Sequence, residues 1–163
     1  EELTTVVTEF EALEQLPYLT DLITLEWALH TKYYQPSTLG LDPSSISQEA
    51  LLNAPLTLRG GLQLLVSEFP LYEIYRQSLP DYRADITIRL DQSQDAILIY
   101  KDGQSVQPSV IDTATTALLL AIQESENLLQ AITQVEGSIP TEQLSLALTK
   151  ILQQRLLVIA SSN

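Results

Sequence analysis

The sequence contains no cysteine, and it has one histidine, His30, among its 163 residues. Without cysteine the chain has no means of forming a disulfide or a thiolate zinc site. With one histidine it lacks a His-Glu-x-x-His pattern, and a serine triad would have to use His30. No carboxylate spacing resembles a calcium loop. We therefore expect a protein that is not an enzyme on its own and that carries no catalytic residue, cofactor or metal.

Basic residues are also scarce, since eight lysines and arginines stand against 21 aspartates and glutamates, a formal net charge of −13. Binding to duplex nucleic acid depends on lysine and arginine side chains that neutralise phosphates. No stretch of this chain contains three clustered basic residues. Nucleic acid is therefore a disfavoured partner, whereas the negative charge fits a solvated surface or attraction to a basic partner.

Long apolar runs are missing as well. The longest ones, such as residues 116–122, are far shorter than the roughly 20 residues that a membrane span needs. No basic leader with an apolar core opens the chain. We therefore expect no membrane association and a cytoplasmic location.

The first half of the chain is predicted to be mainly helical. Apolar and aromatic residues recur at three- and four-residue steps between Leu16 and Tyr34, which is typical of an amphipathic helix. Glycine, proline and serine mark residues 35–43 as a loop, and Ser47 is a predicted N-cap. The predicted elements are a helix over residues 5–34 interrupted at Pro17, helices over 45–53 and 70–78, and an extended segment over 54–66.

The second half shows strand patterns first and helix patterns afterwards. Asp102-Gly103 predicts a hairpin, because tight turns need the positive φ that glycine adopts readily. Pro108 favours an edge position for the strand that follows. The predicted elements are strands over residues 84–90, 96–100 and 105–111, helices over 113–123, 126–134 and 141–155, and a short strand over 156–160.

These patterns together predict an α+β protein with a domain boundary between residues 83 and 84. Residues 1–83 are predicted to form a mainly helical domain. Because the chain begins without methionine, we expect this domain to be the remainder of a longer N-terminal region. Residues 84–163 are predicted to form a small winged-helix-like domain, with three strands followed by three helices.

Most of the tyrosines, the single tryptophan and a phenylalanine lie in the first half. Helical spacing explains Tyr18, Tyr33, Tyr72 and Tyr75 as core or partly buried residues. Tyrosine and tryptophan are also enriched at protein interfaces, and both interpretations stay open. The candidates for an interface with another protein are Tyr18, Trp27, Tyr34, Tyr72 and Arg76.

Glu26 and His30 are four residues apart and share one helical face. Such a pair can contribute to a metal site, but a second histidine is missing, so we favour an ordinary surface pair. The strand over 105–111 also has two interpretations. Its backbone groups are free to pair with an added peptide strand, or Pro108 blunts the edge and no ligand binds.

Six blocks of the sequence carry a resemblance: LPYLTDL at 16–22, LEWALH at 25–30, YY at 33–34, LQLL at 62–65, FPL at 69–71 and IYR at 74–76. They resemble one bacterial family, which was long labelled as a DNA-binding domain of unknown function. The family includes proteins similar to the partner subunit of methanobactin and copper-buffering peptide biosynthesis. The resemblance extends over nearly the whole chain and is strongest over residues 16–76.

The resemblance implies a non-catalytic subunit that pairs with a multinuclear non-haem iron oxygenase and helps to present a precursor peptide to it. The second half is also similar in element order to peptide-recognition domains, in which a leader peptide adds a strand beside the third strand and packs against the third helix. Pro108 departs from that arrangement by removing one backbone donor. The peptide-binding residues implied in this way are Ser105, Val106, Gln107, Ser109, Val110, Leu144, Leu148 and Ile151.

A DNA-binding or transcription-associated protein of winged-helix type is the alternative. A recognition helix brings basic residues to a DNA groove, yet the last predicted helix offers only Lys150 and Arg155. Residues 84–163 hold nine acidic and four basic residues, a net charge of −5. The charge therefore favours the partner-subunit hypothesis over the DNA-binding one.

Overall fold

A computed structural model describes residues 16–83, 87–91 and 94–160. Within these ranges the protein is α+β, as predicted from the sequence. The helices are α1 (Leu19–Tyr34), α2 (Gln48–Asn53), α3 (Leu71–Ser78), α4 (Thr113–Glu124), α5 (Leu128–Val135) and α6 (Thr141–Gln153), with a 3₁₀ turn at Pro43–Ser45. The strands are β1 (Leu56–Leu58), β2 (Gln63–Ser67), β3 (Asp95–Asp102), β4 (Ser105–Ile111) and β5 (Leu157–Ile159). The helix predicted over residues 5–15 lies outside the described residues.

The chain packs into two compact units that are interleaved along the sequence. The first unit combines Glu1–Pro36 with Gln63–Val110, and the second combines Ser37–Leu62 with Ile111–Asn163. The grouping by packing therefore differs from the proposed boundary between residues 83 and 84. That boundary stays a prediction about which segments fold by themselves.

The first unit contains a three-stranded sheet in the order β2-β3-β4. β2 is antiparallel to β3, with Gln63 opposite Ile99 and Ser67 opposite Asp95. The strand predicted over residues 84–90 is wrong for Thr87–Arg89, which have no strand structure, and residues 84–86 lie outside the described part. Because β3 already has a neighbour on each side, its edges are not available to a further strand.

The core of the first unit explains the central position of β3. Ile97, Leu98 and Ile99 are all fully buried, as expected of a strand covered on both faces. Ile97 and Ile99 face the same side and pack with Leu25 of α1 and Leu71 of α3. The apolar side of α1 is therefore fixed against the sheet, and the opposite side of that helix is left exposed.

Polar side chains lock the two helices of the first unit onto the sheet. The buried Ser67 hydroxyl donates to the Asp21 carboxylate of α1 at 2.6 Å and accepts from the Phe69 N–H at 3.1 Å. The Asp95 carboxylate accepts from the Tyr72 N–H at 2.8 Å, at the first turn of α3. Pro70 has no side-chain oxygen to cap this helix, so Asp95 supplies the negative charge that a helix N-terminus favours.

The predicted hairpin between β3 and β4 is confirmed. Two residues, Gly103 and Gln104, connect the strands, and Gly103 has a φ of 58°. Two-residue hairpin loops of the II′ type place glycine at this first position because it adopts a positive φ without strain. β4 lies at the edge of the sheet, as Pro108 predicted.

The second unit is built from α4, α5 and α6 together with α2 and the antiparallel pair β1-β5, in which Leu56 lies opposite Ile159. The short terminal strand was predicted correctly. Asp112 caps α4 by accepting from the Thr115 N–H at 2.8 Å, and Ser47 caps α2 as predicted. Side chains of Leu118, Leu128 and Ile151 lie in the core of this unit.

The loop after α1 is fastened to the segment that follows α6, within the second unit. Arg155 has a φ of 51° and its guanidinium lies 2.8 Å from the Asp42 carboxylate. A Cβ atom added to Gly40 would come within 1.6 Å of the Arg155 carbonyl oxygen. Gly40 therefore permits a close backbone approach that no other residue allows. None of the helices in the described residues is both long enough and apolar enough to cross a membrane.

Candidate protein-binding surfaces

The exposed side of α1 carries a group of aromatic side chains. Residues at steps of three and four share one face of this helix. We name this face the α1 aromatic face; it consists of the rings of Trp27, His30, Tyr33 and Tyr34 together with Glu26. The exposed fractions are 63% for Trp27, 59% for Tyr33 and 73% for Tyr34. Large rings with this much exposure on consecutive turns form a patch, whereas single exposed apolar residues are ordinary on a protein surface.

The rings of this face contact one another in sequence along the helix. The His30 ring stacks on Trp27 with the centroids 5.8 Å apart, and it meets Tyr34 edge to face at 5.1 Å. Tyr33 and Tyr34 are also edge to face, at 5.2 Å. These distances fall in the favourable range for aromatic pairs. The rings therefore restrict one another. As a result, they lose less side-chain entropy when a partner binds than isolated rings would.

Lys101 at the end of β3 holds the C-terminal end of this face. Its ammonium group donates to the carbonyl oxygen of Tyr33 at 2.7 Å and of Gln35 at 3.1 Å, and it lies 5.6 Å from the centre of the Tyr33 ring. The last carbonyl groups of a helix lack partners inside the helix and favour a positive charge. The sheet thus positions the end of α1 that carries Tyr33 and Tyr34.

Two of the five predicted interface residues, Trp27 and Tyr34, lie on the α1 aromatic face. Tyr18 is half-buried, with its ring edge to face against Phe69 at 6.4 Å, and it lines a shallow groove of about 380 Å³. Tyr72 is half-buried against the core of the first unit. The predicted aromatic set is therefore divided between exposed rings and rings that support the fold.

Arg76, the fifth predicted interface residue, is exposed on α3. Its guanidinium lies 5.9 Å from the centre of the Tyr72 ring and 5.6 Å from that of Tyr82, and it pairs with Glu73 at 3.2 Å. These contacts satisfy the cation within its own unit. Arg76 is available to a partner only at the expense of those contacts, which sets it apart from Trp27 and Tyr34.

Three members of the α1 aromatic face, Glu26, His30 and Tyr33, are not among the predicted interface residues. Of the two interpretations of Tyr33, the core interpretation is wrong, since its ring is mostly exposed. For Glu26 and His30 the sequence offers a metal pair or an ordinary surface pair, and it favours the surface pair. Among the described residues no group of three or more potential ligands exists, so Glu26 and His30 have no third ligand there. The missed signal is a second stripe on α1, displaced from the apolar stripe of Leu22, Leu25 and Leu29.

The predicted peptide-binding residues of β4 lie on the sheet edge. Ser105, Gln107 and Val110 are exposed, while Val106 and Ser109 are half-buried. A proline is tolerated within a strand where its nitrogen faces away from the neighbouring strand. Backbone groups of alternate residues point to the same side, so the N–H groups of Val106 and Val110 face the free edge together with the Pro108 nitrogen.

The predicted peptide contacts on α6 lie largely inside the second unit. Leu144 is 7% exposed and Ile151 is fully buried, so these two side chains are core residues and are not accessible to a ligand. Leu148 is half-buried. The periodicity identified the apolar side of α6 correctly, and that side faces the unit's own core. Leu146, which is 55% exposed, is the apolar residue that α6 presents outwards.

Leu146 borders a groove of about 300 Å³ between α6 and the start of α4. Lys150 also lines this groove and pairs there with the Asp112 carboxylate. Partial burial raises the pKa of Asp112, but hydrogen bonds from Lys150 and from the backbone and hydroxyl of Thr115 outweigh it and lower the pKa to about 2. Lys150 and Arg155, the two basic residues considered for DNA contact, are therefore each paired with a carboxylate.

Comparisons of this chain with protein families, with characterised proteins and with solved structures returned no match.

Proposed function

We propose that this chain is a non-catalytic partner subunit of a peptide-modifying iron oxygenase, that it acts in the cytoplasm, and that it docks on the enzyme through the α1 aromatic face. The observation that carries the proposal is the exposure of Trp27, Tyr33 and Tyr34 on consecutive turns of one helix. Rings of this type are the commonest anchors of protein interfaces. The blocks LEWALH and YY, which carry the family resemblance, contain all three of them.

The area of these rings sets the free energy that docking can gain. A fully buried tyrosine or tryptophan removes about 150–250 Å² of surface from water. If docking covers about 100 Å² of each ring, the gain is roughly 2.5 kcal/mol per ring before the cost of association. Three rings that already contact one another are therefore sufficient for the centre of a specific interface.

The second part of the proposal concerns the precursor peptide. An extended leader segment pairs with the free edge of β4, where Val106 and Val110 supply backbone donors and Pro108 supplies only a carbonyl group. The exposed Ser105 and Gln107 flank this edge. Since Leu144 and Ile151 are core residues, the peptide contact is assigned to the strand and not to those side chains of α6.

The proposal is tested by purifying the protein together with a multinuclear non-haem iron oxygenase of the proposed type. Trp27→Ala and Tyr34→Ala are expected to weaken the complex by about 30-fold each, the size of a typical hot-spot effect. Leu129→Ala is the matched control, because it truncates an apolar side chain of similar exposure on α5. Equal binding by all three variants would remove the α1 aromatic face from the interface.

Peptide binding is measured separately by calorimetry with the leader segment of the precursor. The complex of the two proteins is expected to bind the leader more tightly than either protein alone. An oxygenase that modifies the precursor equally well without this chain would contradict the proposed role.

A further inference from the structure

The α1 aromatic face has a charged group at each end, Glu26 at its N-terminal end and Lys101 beside its C-terminal end. Glu26 lies on the same face as Trp27, one turn before His30, and it is exposed. Within the described residues Glu26 takes part in no ion pair. The cations Arg76, Lys150 and Arg155 are each paired with another carboxylate. The carboxylate therefore borders an aromatic patch without a compensating cation of its own.

The field of this carboxylate reaches the neighbouring helix. Burial raises the pKa of the Tyr75 hydroxyl on α3, and the negative charge of Glu26 raises it further. At the other end of the face the ammonium group of Lys101 lies over the Tyr33 ring. Glu26 and Tyr34 are eight residues apart, about 12 Å along a helix. The face is thus negative at its N-terminal end, aromatic along its length and positive at its C-terminal end.

We propose that this face receives an arginine-bearing segment of the partner enzyme, with the guanidinium against the Glu26 carboxylate and apolar side chains against Trp27 and Tyr34. This inference rests on the proposed function and names the chemistry of the partner surface. A guanidinium suits the position because it pairs with a carboxylate through two parallel hydrogen bonds and also stacks on aromatic rings. A lysine ammonium is a compact, strongly hydrated charge and lacks the planar fork that makes two parallel hydrogen bonds to one carboxylate.

The charge of the whole chain supports the same choice of occupant. With a formal net charge of −13, the protein attracts a basic surface and repels an acidic one at long range. A second copy of this chain is therefore a poor occupant of the face. An arginine on the oxygenase would be steered towards the face, and its pairing with Glu26 would fix the register of docking.

The single tryptophan gives a direct readout of this face. The 163-residue chain is labelled with 5-fluorotryptophan, so that its one fluorine signal reports on position 27, and is titrated with the oxygenase. Glu26→Gln is expected to weaken binding about tenfold, and Glu26→Lys by considerably more because it places like charges opposite each other. Glu136→Lys, at an exposed site after α5, is the charge-matched control and is expected to bind as the wild type does.

The arginine is then identified by replacing Tyr34 with photoreactive benzoylphenylalanine and mapping the oxygenase peptide that it crosslinks. Each arginine near the crosslink is changed to glutamine and combined with Glu26→Gln. One pair is expected to show coupling, so that the double variant binds much as the single variants do. A wild-type complex that is insensitive to Glu26→Lys, or strictly additive pairs throughout, would overturn this inference and leave the proposed function intact. Absence of any complex with the wild type would overturn both.

Discussion

The ammonium group of Lys101 donates a hydrogen bond to the carbonyl oxygen of Tyr33 at 2.7 Å, so the sheet of the first unit closes the C-terminal end of α1. The same ammonium group bonds the Gln35 carbonyl oxygen. Helix ends without such partners fray. Exposed rings on a frayed turn would sample many positions, and the contact from Lys101 keeps Tyr33 and Tyr34 in place.

Lys101→Met is expected to lower the free energy of unfolding by about 1–2 kcal/mol, because two helix-terminal carbonyl groups lose a charged donor that is partly exposed to water. Urea denaturation measures the change. The same variant is expected to weaken the enzyme complex, since Tyr33 and Tyr34 are no longer held. Lys32→Met is the matched control, as within the described part of the chain Lys32 bonds only the side chain of Gln35, at 3.2 Å. Similar losses in both variants would show that Lys101 has no particular role.

Gly40→Ala is expected to destabilise the protein by about 3 kcal/mol or more. The new Cβ would lie 1.6 Å from the Arg155 carbonyl oxygen, and backbone atoms have little room to move away. Gly60→Ala is the control in the same unit, because its Cβ would meet the Thr38 side chain at an ordinary 3.6 Å. Thermal unfolding of the two variants distinguishes the sites, and equal melting temperatures would show that the close approach is absent.

The pairing of Asp112 predicts a definite dependence of stability on pH. Its pKa is lowered from 3.8 to about 2 in the folded protein, so the stabilisation is fully present above pH 4 and is lost as the pH falls towards 2. Since nearly half of the side chain is exposed, we expect about 1–2 kcal/mol. Asp112→Asn keeps an N-capping side chain and removes the charge. The free energies of unfolding of the wild type and of Asp112→Asn are expected to converge as the pH falls from 4 to 2. A difference between them that does not change with pH would contradict the pairing.

Pro108→Ala is expected to tighten leader-peptide binding about two- to tenfold, because it restores a backbone donor at the free edge of β4. Val110→Pro removes a donor from the same edge and is expected to weaken binding, whereas Val110→Ala truncates the side chain and keeps the N–H group. Calorimetry on the three variants separates the contribution of the backbone N–H groups to peptide affinity from that of the Val110 side chain. A leader affinity that does not respond to Pro108→Ala would argue against strand addition at β4.

A fragment comprising residues 84–163 is expected not to fold cooperatively. It lacks β2, which pairs with β3, and β1, which pairs with β5, and it lacks the Asp42 partner of Arg155. Circular dichroism and urea titration of the fragment and the whole chain measure this. Cooperative unfolding of the fragment would support the boundary at residues 83 and 84 as a folding boundary.

The sequence was most informative where the signal is local. The periodicity of α1, the Ser47 cap, the hairpin at Gly103 and the edge strand at Pro108 each depend on residues within a few positions of one another, and all four agree with the structure. The α+β class follows from such elements.

Pairing between distant segments was not predictable in the same way. Residues 84–90 alternate as a strand does, yet β3 pairs with β2, because the choice of neighbour depends on long-range packing that alternation does not encode. The apolar side of α6 was recognised, but the pattern does not state what covers it. Leu144 and Ile151 face their own core. On α1 the second stripe went unrecognised because aromatic residues at helical spacing resemble a core.

The pairing of Leu56 with Ile159 has a consequence for the order of events during translation. The two residues are 103 positions apart in the chain. At a synthesis rate of about 5–20 residues per second, β5 is made roughly 5–20 seconds after β1. All strands of the first unit's sheet are synthesised well before then, because the last of them ends at Ile111. Nascent chains are therefore expected to contain a completed first unit while Leu56 is still exposed, which makes β1 a natural contact for chaperones.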